Sequence, residues 1–200
     1  MLTVVIQAGG ESRRMGQDKA LMPFLGKPLI SRVLQRLAPI ADEVIVTTNK
    51  PESYRFLGLP LHPDILPGRG ALGGLYTALE SARRSLVAVV ACDMPFASPR
   101  LIEAMRSALI GAQADLAIPV TEGGREPFHA VYRRETCLPP ILQALEAGKW
   151  RVDSWFEEVR LLPIPPEEAR KYDPQRVCFW NVNTPEELQA AEALARQMRL

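Results

Sequence analysis

The residues best equipped for chemistry stand together near the amino end, in Gln7-Ala8-Gly9-Gly10-Glu11-Ser12-Arg13-Arg14-Met15-Gly16-Gln17-Asp18-Lys19. This segment follows the apolar run Leu2–Ile6, so a buried strand is expected to empty into a glycine-rich, cationic loop. Adjacent glycines let backbone N–H groups approach an anion closely, while Arg13, Arg14 and Lys19 can neutralise several negative charges at once. The chemistry is that of a polyphosphate cradle. A Walker loop needs four residues between its glycines and then Lys-Ser/Thr; Gly10 and Gly16 enclose five, with Gln17-Asp18-Lys19 after them, which disfavours a P-loop NTPase. The dinucleotide fingerprint needs three glycines at fixed spacing behind the strand, and here Gly9-Gly10 is followed only by Gly16.

A second chemical group lies where Leu86–Ala91 runs into Cys92-Asp93-Met94-Pro95. An acid just beyond the carboxyl end of a central strand sits where open α/β sheets bind ligands. Asp93 is therefore the candidate ligand for Mg²⁺, a hard cation that accepts one or two carboxylates plus substrate phosphate oxygens. Gly68-Arg69-Gly70-Ala71-Leu72-Gly73 also matches G-x-G-x-x-G, but three prolines interrupt residues 59–67 where the required strand should be. The better reading is a loop whose glycines allow backbone contact with a flat base, followed by a helix over 71–82.

These groups need a sheet to hold them. Leu2–Ile6, Val44–Val46, Leu86–Ala91 and Leu116–Val120 are short and rich in Val, Ile and Leu, as strands buried on both faces should be. Helical spacing marks Pro28–Leu37 and Pro99–Leu109. The alternation predicts an α/β fold, a mostly parallel mixed sheet with helices on both faces and right-handed crossovers. Later, Phe128–Tyr132 is expected as a strand, Cys137–Glu146 as a helix and Val177–Val182 as a further strand. Thr184-Pro185-Glu186-Glu187 reads as the capped start of a C-terminal helix. Pro163-Ile164-Pro165-Pro166 reads as a surface loop inside a single domain spanning 1–200.

Two hundred residues can bury roughly 70% of their unfolded surface in one domain. A net charge of +1, from 24 basic and 23 acidic residues, leaves no broad basic face for nucleic acid and no polybasic stretch for a membrane. Cys92, Cys137 and Cys178 are odd in number and far apart, which argues against disulfides or zinc and for a reducing cytoplasm. The opening strand pattern and the lack of a long apolar run predict a soluble, unexported chain. His62 and His129 are assigned no chemistry.

The pattern A-G-G-x-S-x-R-M-G-x-D-K resembles the signature loop of nucleotidyltransferases that activate a phosphate with an NTP. Together with Cys92-Asp93-Met94-Pro95, Gly124–Tyr132 and Asn181-Val182-Asn183-Thr184-Pro185-Glu186-Glu187-Leu188, it resembles the molybdenum cofactor guanylyltransferases, and the order of the motifs matches. The resemblance implies a Rossmann-like nucleotidyltransferase fold that uses Mg²⁺ to join GMP from GTP to the phosphate of molybdopterin, releasing pyrophosphate. By position it implies that Gln7, Ala8, Gly9, Gly10 and Lys19 hold the nucleotide, with Thr47, Asp64 and Gly70 around guanine. Asp93 would bind the metal, Arg14 and Lys19 would offset charge, and Asn181 and Asn183 would lie on the molybdopterin side. It further implies a monomer in transient contact with cofactor-delivering proteins or molybdoenzymes. Two positions depart from the family: Gln7 stands where Leu is usual, and Thr47 where an Asn is usual, with Asn49 two residues on. Readings left open are a cytidylyltransferase of the same cofactor, another NTP-dependent transferase of a small phosphorylated substrate, and a non-catalytic nucleotide-binding regulatory subunit.

Overall fold

The computed structural model describes residues 1–9 and 18–198. Its frame is a mixed sheet whose strands are β1 (Leu2–Gln7), β4 (Glu43–Thr47), β5 (Leu61–His62), β6 (Leu86–Ala91), β7 (Leu116–Thr121), β9 (His129–Arg133) and β10 (Leu161–Ile164), with β8 (Gly124–Arg125) paired to β7. A small hairpin of β2 (Pro23–Phe24) and β3 (Lys27–Pro28) stands apart. The spatial order is β10-β7-β9-β6-β1-β4-β5. Along this order all pair in parallel except β9, which runs antiparallel to both β6 and β7; β8 is also antiparallel to β7. The chain winds outward from β1 through β4 and β5, then returns to the other side of β1 at β6. That reversal opens a crevice at the carboxyl ends of β1 and β6.

Alternation along β1 explains the two-sided core. Leu2, Val4 and Ile6 face α1 (Leu29–Leu37) and α3 (Pro99–Gly111), which contribute Ile30, Val33, Leu101, Ile102 and Met105. Val5 faces the opposite layer, α2 (Gly70–Ser81) and α4 (Arg134–Glu146), with Leu72, Leu75, Ile141 and Leu145. Each fully buried aliphatic side chain contributes about 1.5–3 kcal/mol. The short α5 (Pro166–Ala169) adds Ala169 to the first layer. α6 (Pro185–Gln197) builds a third cluster, where Leu188 and Ala191 meet Phe24, Leu29 and Phe96. The expected cap on α6 is present as a reciprocal box: Thr184 Oγ1 accepts from the Glu187 N–H, and the Glu187 carboxylate accepts from the Thr184 N–H.

Two expectations are corrected. Residues 177–182 form turns rather than a strand: Trp180 N–H closes onto the Val177 carbonyl, Cys178 N–H donates to Asp173 Oδ2, and Val182 N–H donates to the Asp93 carbonyl. Their apolar side chains fill clusters beside α6 and the sheet end instead of lining a ladder. Conversely, the first two residues of the proline-rich stretch read as a loop, Pro163 and Ile164, end β10, with Pro163 opposite Ile118. β10 is the sheet's edge, where a proline without an N–H is tolerated. The prolines between residues 59 and 67 confine β5 to two residues.

His129 is fully buried at the start of β9, where Nε2 accepts the Ser98 N–H at 3.0 Å and the ring meets Phe179 edge-on. Burial lowers its pKa from 6.5 to about 4. The unfolded chain therefore binds a proton between pH 6.5 and 4 that the folded chain refuses, so this contribution is complete above 6.5 and is lost as pH falls toward 4. The difference amounts to about 3 kcal/mol. Urea unfolding should show stability climbing across that window, with a flatter climb in His129→Gln; equal slopes would refute the assignment.

Candidate active site

The crevice at the β1/β6 reversal has a volume of about 600 Å³. Its floor is the sheet edge, with Gln7 ending β1 and Ala8 after it, and Ala91 ending β6 with Cys92 and Asp93 after it. Ladder pairing continues past the strands: Cys92 N–H donates to the Gln7 carbonyl and Ala8 N–H to the Thr47 carbonyl, which fixes these residues at one height.

At one end stands Lys19, in a one-turn 3-10 helix capped by Asp18, whose Oδ1 accepts the Ala20 N–H. The buried Tyr54 hydroxyl donates to Asp18 Oδ2 at 2.8 Å, which ties this turn to the body of the protein. Lys19 Nζ donates to Asn183 Oδ1 at 2.7 Å and lies 3.9 Å from Asp93 Oδ2. Asp93 is largely enclosed; burial raises its pKa, the Lys19 ammonium opposes that rise, and its Oδ1 is buried without a hydrogen-bond partner. An ammonium, a carboxylate with spare acceptor capacity and an amide here converge on one spot. Among the described residues no group of three or more acidic, His or Cys side chains could cage a metal. The arrangement suits a cation that takes one carboxylate and fills its shell with water and phosphate oxygens.

At the other end Asn49 and Asp64 bond reciprocally: Asn49 Nδ2 donates to Asp64 Oδ2 at 2.7 Å, and the Asp64 N–H to Asn49 Oδ1 at 2.9 Å. Gly68, Gly70, Ala71 and Gly74 complete the wall. Gly70 has φ +60°, a left-handed conformation that favours glycine. It begins α2, which has no side-chain cap, so amide N–H groups at this end stay open to a ligand oxygen.

Of the residues singled out from sequence, Gln7, Ala8, Gly9, Lys19, Asp64, Gly70 and Asp93 line this crevice. Asn183 reaches it through Lys19, and Asn181 Nδ2 donates to the neighbouring Phe179 carbonyl. Gly10, Arg13 and Arg14 lie outside the described residues. Thr47 is buried beneath the floor, its carbonyl spent on Ala8, and Asn49 lines the wall in its stead. The cause is spacing: Thr47 is the last residue of β4, whereas Asn49 lies two residues beyond its end. Sequence reasoning missed Tyr54 and Phe128. Tyr54 belongs to no motif, and Phe128 was expected within a strand but immediately precedes β9.

A family model described as the MobA-like NTP transferase domain matches residues 4–160. The molybdenum cofactor guanylyltransferase of Desulfosudis oleivorans is 34% identical over 100% of this chain and 98% of its own length. That of Shewanella woodyi is 32% identical over 98% of each. The crystal structure of molybdopterin-guanine dinucleotide biosynthesis protein A from Archaeoglobus fulgidus superposes with a TM-score of 0.84 at 27% identity, covering 98% of this chain and 100% of that one.

Gln7, the last residue of β1, packs against α2. A Cβ built on Gly74 would lie 2.0 Å from Gln7 Nε2, so the carboxamide occupies the space that glycine leaves open. Gly74→Ala should expel it at a cost of about 1 kcal/mol, the low end for overpacking because the obstacle is the tip of a flexible side chain. Adding Gln7→Ala should restore the lost stability in urea melts, and a single variant as stable as the wild type would overturn this pairing.

Proposed function

The chain belongs to the molybdenum cofactor guanylyltransferase family of MobA-like NTP transferases, and from that membership we propose that its crevice joins GMP from GTP to the phosphate of molybdopterin. The observation that carries the reading is the convergence of Lys19, Asp93 and Asn183 at one end of a crevice whose other end offers the Asp64 carboxylate.

Guanine presents two adjacent donors, N1–H and the 2-amino group, which one carboxylate can accept together; cytosine lacks that pair. Asp64 is the acceptor in this reading, oriented by Asn49, and the open N–H groups of α2 suit the ribose or phosphate oxygens. Gln7, Ala8 and Gly9 form the floor under the nucleotide. The triphosphate then extends toward Lys19, with Gly10 and Arg14 adding contacts from the same loop.

An oxygen of the molybdopterin phosphate attacks the α-phosphorus of GTP in line. Its lone pair makes the new P–O bond while the bond to the bridging α–β oxygen breaks, its electrons leaving with pyrophosphate. No protein nucleophile is required. Lys19 offsets charge on the phosphates and is held by Asn183, so its ammonium needs little reordering. Asp93 would hold Mg²⁺, which would supply further positive charge to the phosphate oxygens. Asn181 and Asn183 face the acceptor side. The chain works as a monomer in the cytoplasm, with transient contacts to proteins that deliver or receive the cofactor, and without nucleic acid. Among the described residues no helix is long and apolar enough to cross a membrane.

Pyrophosphate release with GTP, CTP or ATP, each with and without molybdopterin and Mg²⁺, tests the reading. Turnover is expected only with GTP, molybdopterin and metal together; preference for CTP, or activity with a sugar phosphate alone, would overturn it. Lys19→Ala and Asp93→Ala should each lower kcat by roughly 10²–10³ without unfolding the protein. Asp64→Asn should instead raise the KM for GTP about tenfold or more and leave kcat nearly unchanged.

A further inference from the structure

A second crevice, of about 550 Å³, opens farther along the same sheet edge, beyond the ends of β7 and β10. Thr121, Glu126, Arg170, Asp173, Phe179 and Trp180 are among the residues lining it. From β6, which carries Asp93 at its end, the sheet steps through β9 to β7. Two strand spacings are about 10 Å. The chain joins the two places as well: Phe179 and Trp180 border the second crevice, and Asn183, four residues after Phe179, holds Lys19 in the first. Four residues span at most about 14 Å.

The lining of this second crevice is specific. Trp180 and Phe179 each pack inward against an aromatic ring, Phe96 and His129 respectively, which fixes both side chains at the wall. Glu126 is half-buried and has spare acceptor capacity. The single Thr121 hydroxyl proton is shared between the Gly124 carbonyl at 3.1 Å and Glu126 Oε1 at 3.0 Å, while a carboxylate offers about four lone pairs. Burial raises the Glu126 pKa, so a ligand that donates to it relieves an enclosed carboxylate. Arg170 supplies donors at the same crevice.

A flat heterocycle with two adjacent N–H donors and a nearby carbonyl meets those demands. The acceptor in the proposed reaction carries such a ring at the end remote from its reacting phosphate, which suits two places separated by two strand spacings. We propose that this second crevice takes the 2-amino-4-oxo edge of the acceptor's pterin, with Glu126 accepting from N3–H and the 2-amino group and Arg170 donating to the 4-oxo oxygen. The inference rests on the guanylyl-transfer reading. It makes the two crevices chemical counterparts, since guanine and pterin share the same 2-amino-4-oxopyrimidine edge and each meets one carboxylate.

The test titrates the whole protein with pterin and with lumazine, which replaces the 2-amino group by an oxo group, following protein tryptophan fluorescence. Pterin should bind about tenfold or more tightly than lumazine, and Glu126→Gln should remove that preference while GTP affinity stays unchanged. In turnover the same variant should raise the KM for molybdopterin and leave that for GTP alone. Equal binding of the two pteridines, or an unchanged molybdopterin KM in a variant that still binds GTP, overturns the assignment. Failure of guanylyl transfer itself is distinguishable, because the wild-type pyrophosphate assay reports it without reference to Glu126.

Discussion

The geometry of the site depends on one constraint, the doubly paired β1. Its residues run in parallel register with β4 from Thr3 opposite Glu43 to Gln7 opposite Thr47, and with β6 from Leu2 opposite Leu86 to Gln7 opposite Ala91. A slip of one residue would exchange Leu2, Val4 and Ile6 for Thr3 and Val5 across two different helical layers, so register is strongly specified. Because three strands end level, the backbone of residues 7–9, Asn49 and Asp93 reach one crevice from three separate stretches of chain. The chemistry is thus placed by the sheet, and the side chains supply only the last few ångströms.

Around that frame, polar groups are arranged to share the work of desolvation. Asp93 is enclosed beside Lys19, Lys19 is oriented by Asn183, and Asn183 is set by its backbone bond to Glu187 of the α6 cap. On the other flank Asp18 joins the Lys19 turn to Tyr54, whose phenol pKa is raised by burial and then by Asp18. A mostly enclosed ion pair at 3.9 Å contributes little net stability, because desolvation offsets its attraction. Its value lies in holding an ammonium where polyanions would otherwise have to draw it from solvent.

Much of this was legible in the sequence. β1 and β6 announce themselves because strands buried on both faces leave unbroken apolar runs, and Thr184-Pro185-Glu186-Glu187 is a local signal that tertiary packing did not override. The carboxylate was readable because it lies two residues past a strand end, and the lysine because it closes the glycine-rich, cationic segment that follows β1. What failed was nonlocal. Val177–Val182 has strand composition, yet its apolar side chains are claimed by the clusters beside α6 and the sheet end, and among the described residues no strand pairs with it. Pro163 looks like a breaker unless β10 is known to be an edge. Asn49 rather than Thr47 lines the wall because a two-residue displacement past the end of β4 decides whether a side chain lies under the floor or on the wall. Gly74 is legible only once the Gln7 carboxamide is seen in the gap beside it.

The bond between Lys19 and Asn183 joins residues 164 positions apart. A ribosome adding about 5–20 residues per second emits Lys19 on the order of ten seconds or more before the amide that bonds it. Throughout that interval the early strands can pair and bury their apolar faces, but the ammonium lacks its bond to Asn183. The full set of Lys19, Asp93 and Asn183 can therefore assemble only once the stretch leading into α6 has been made.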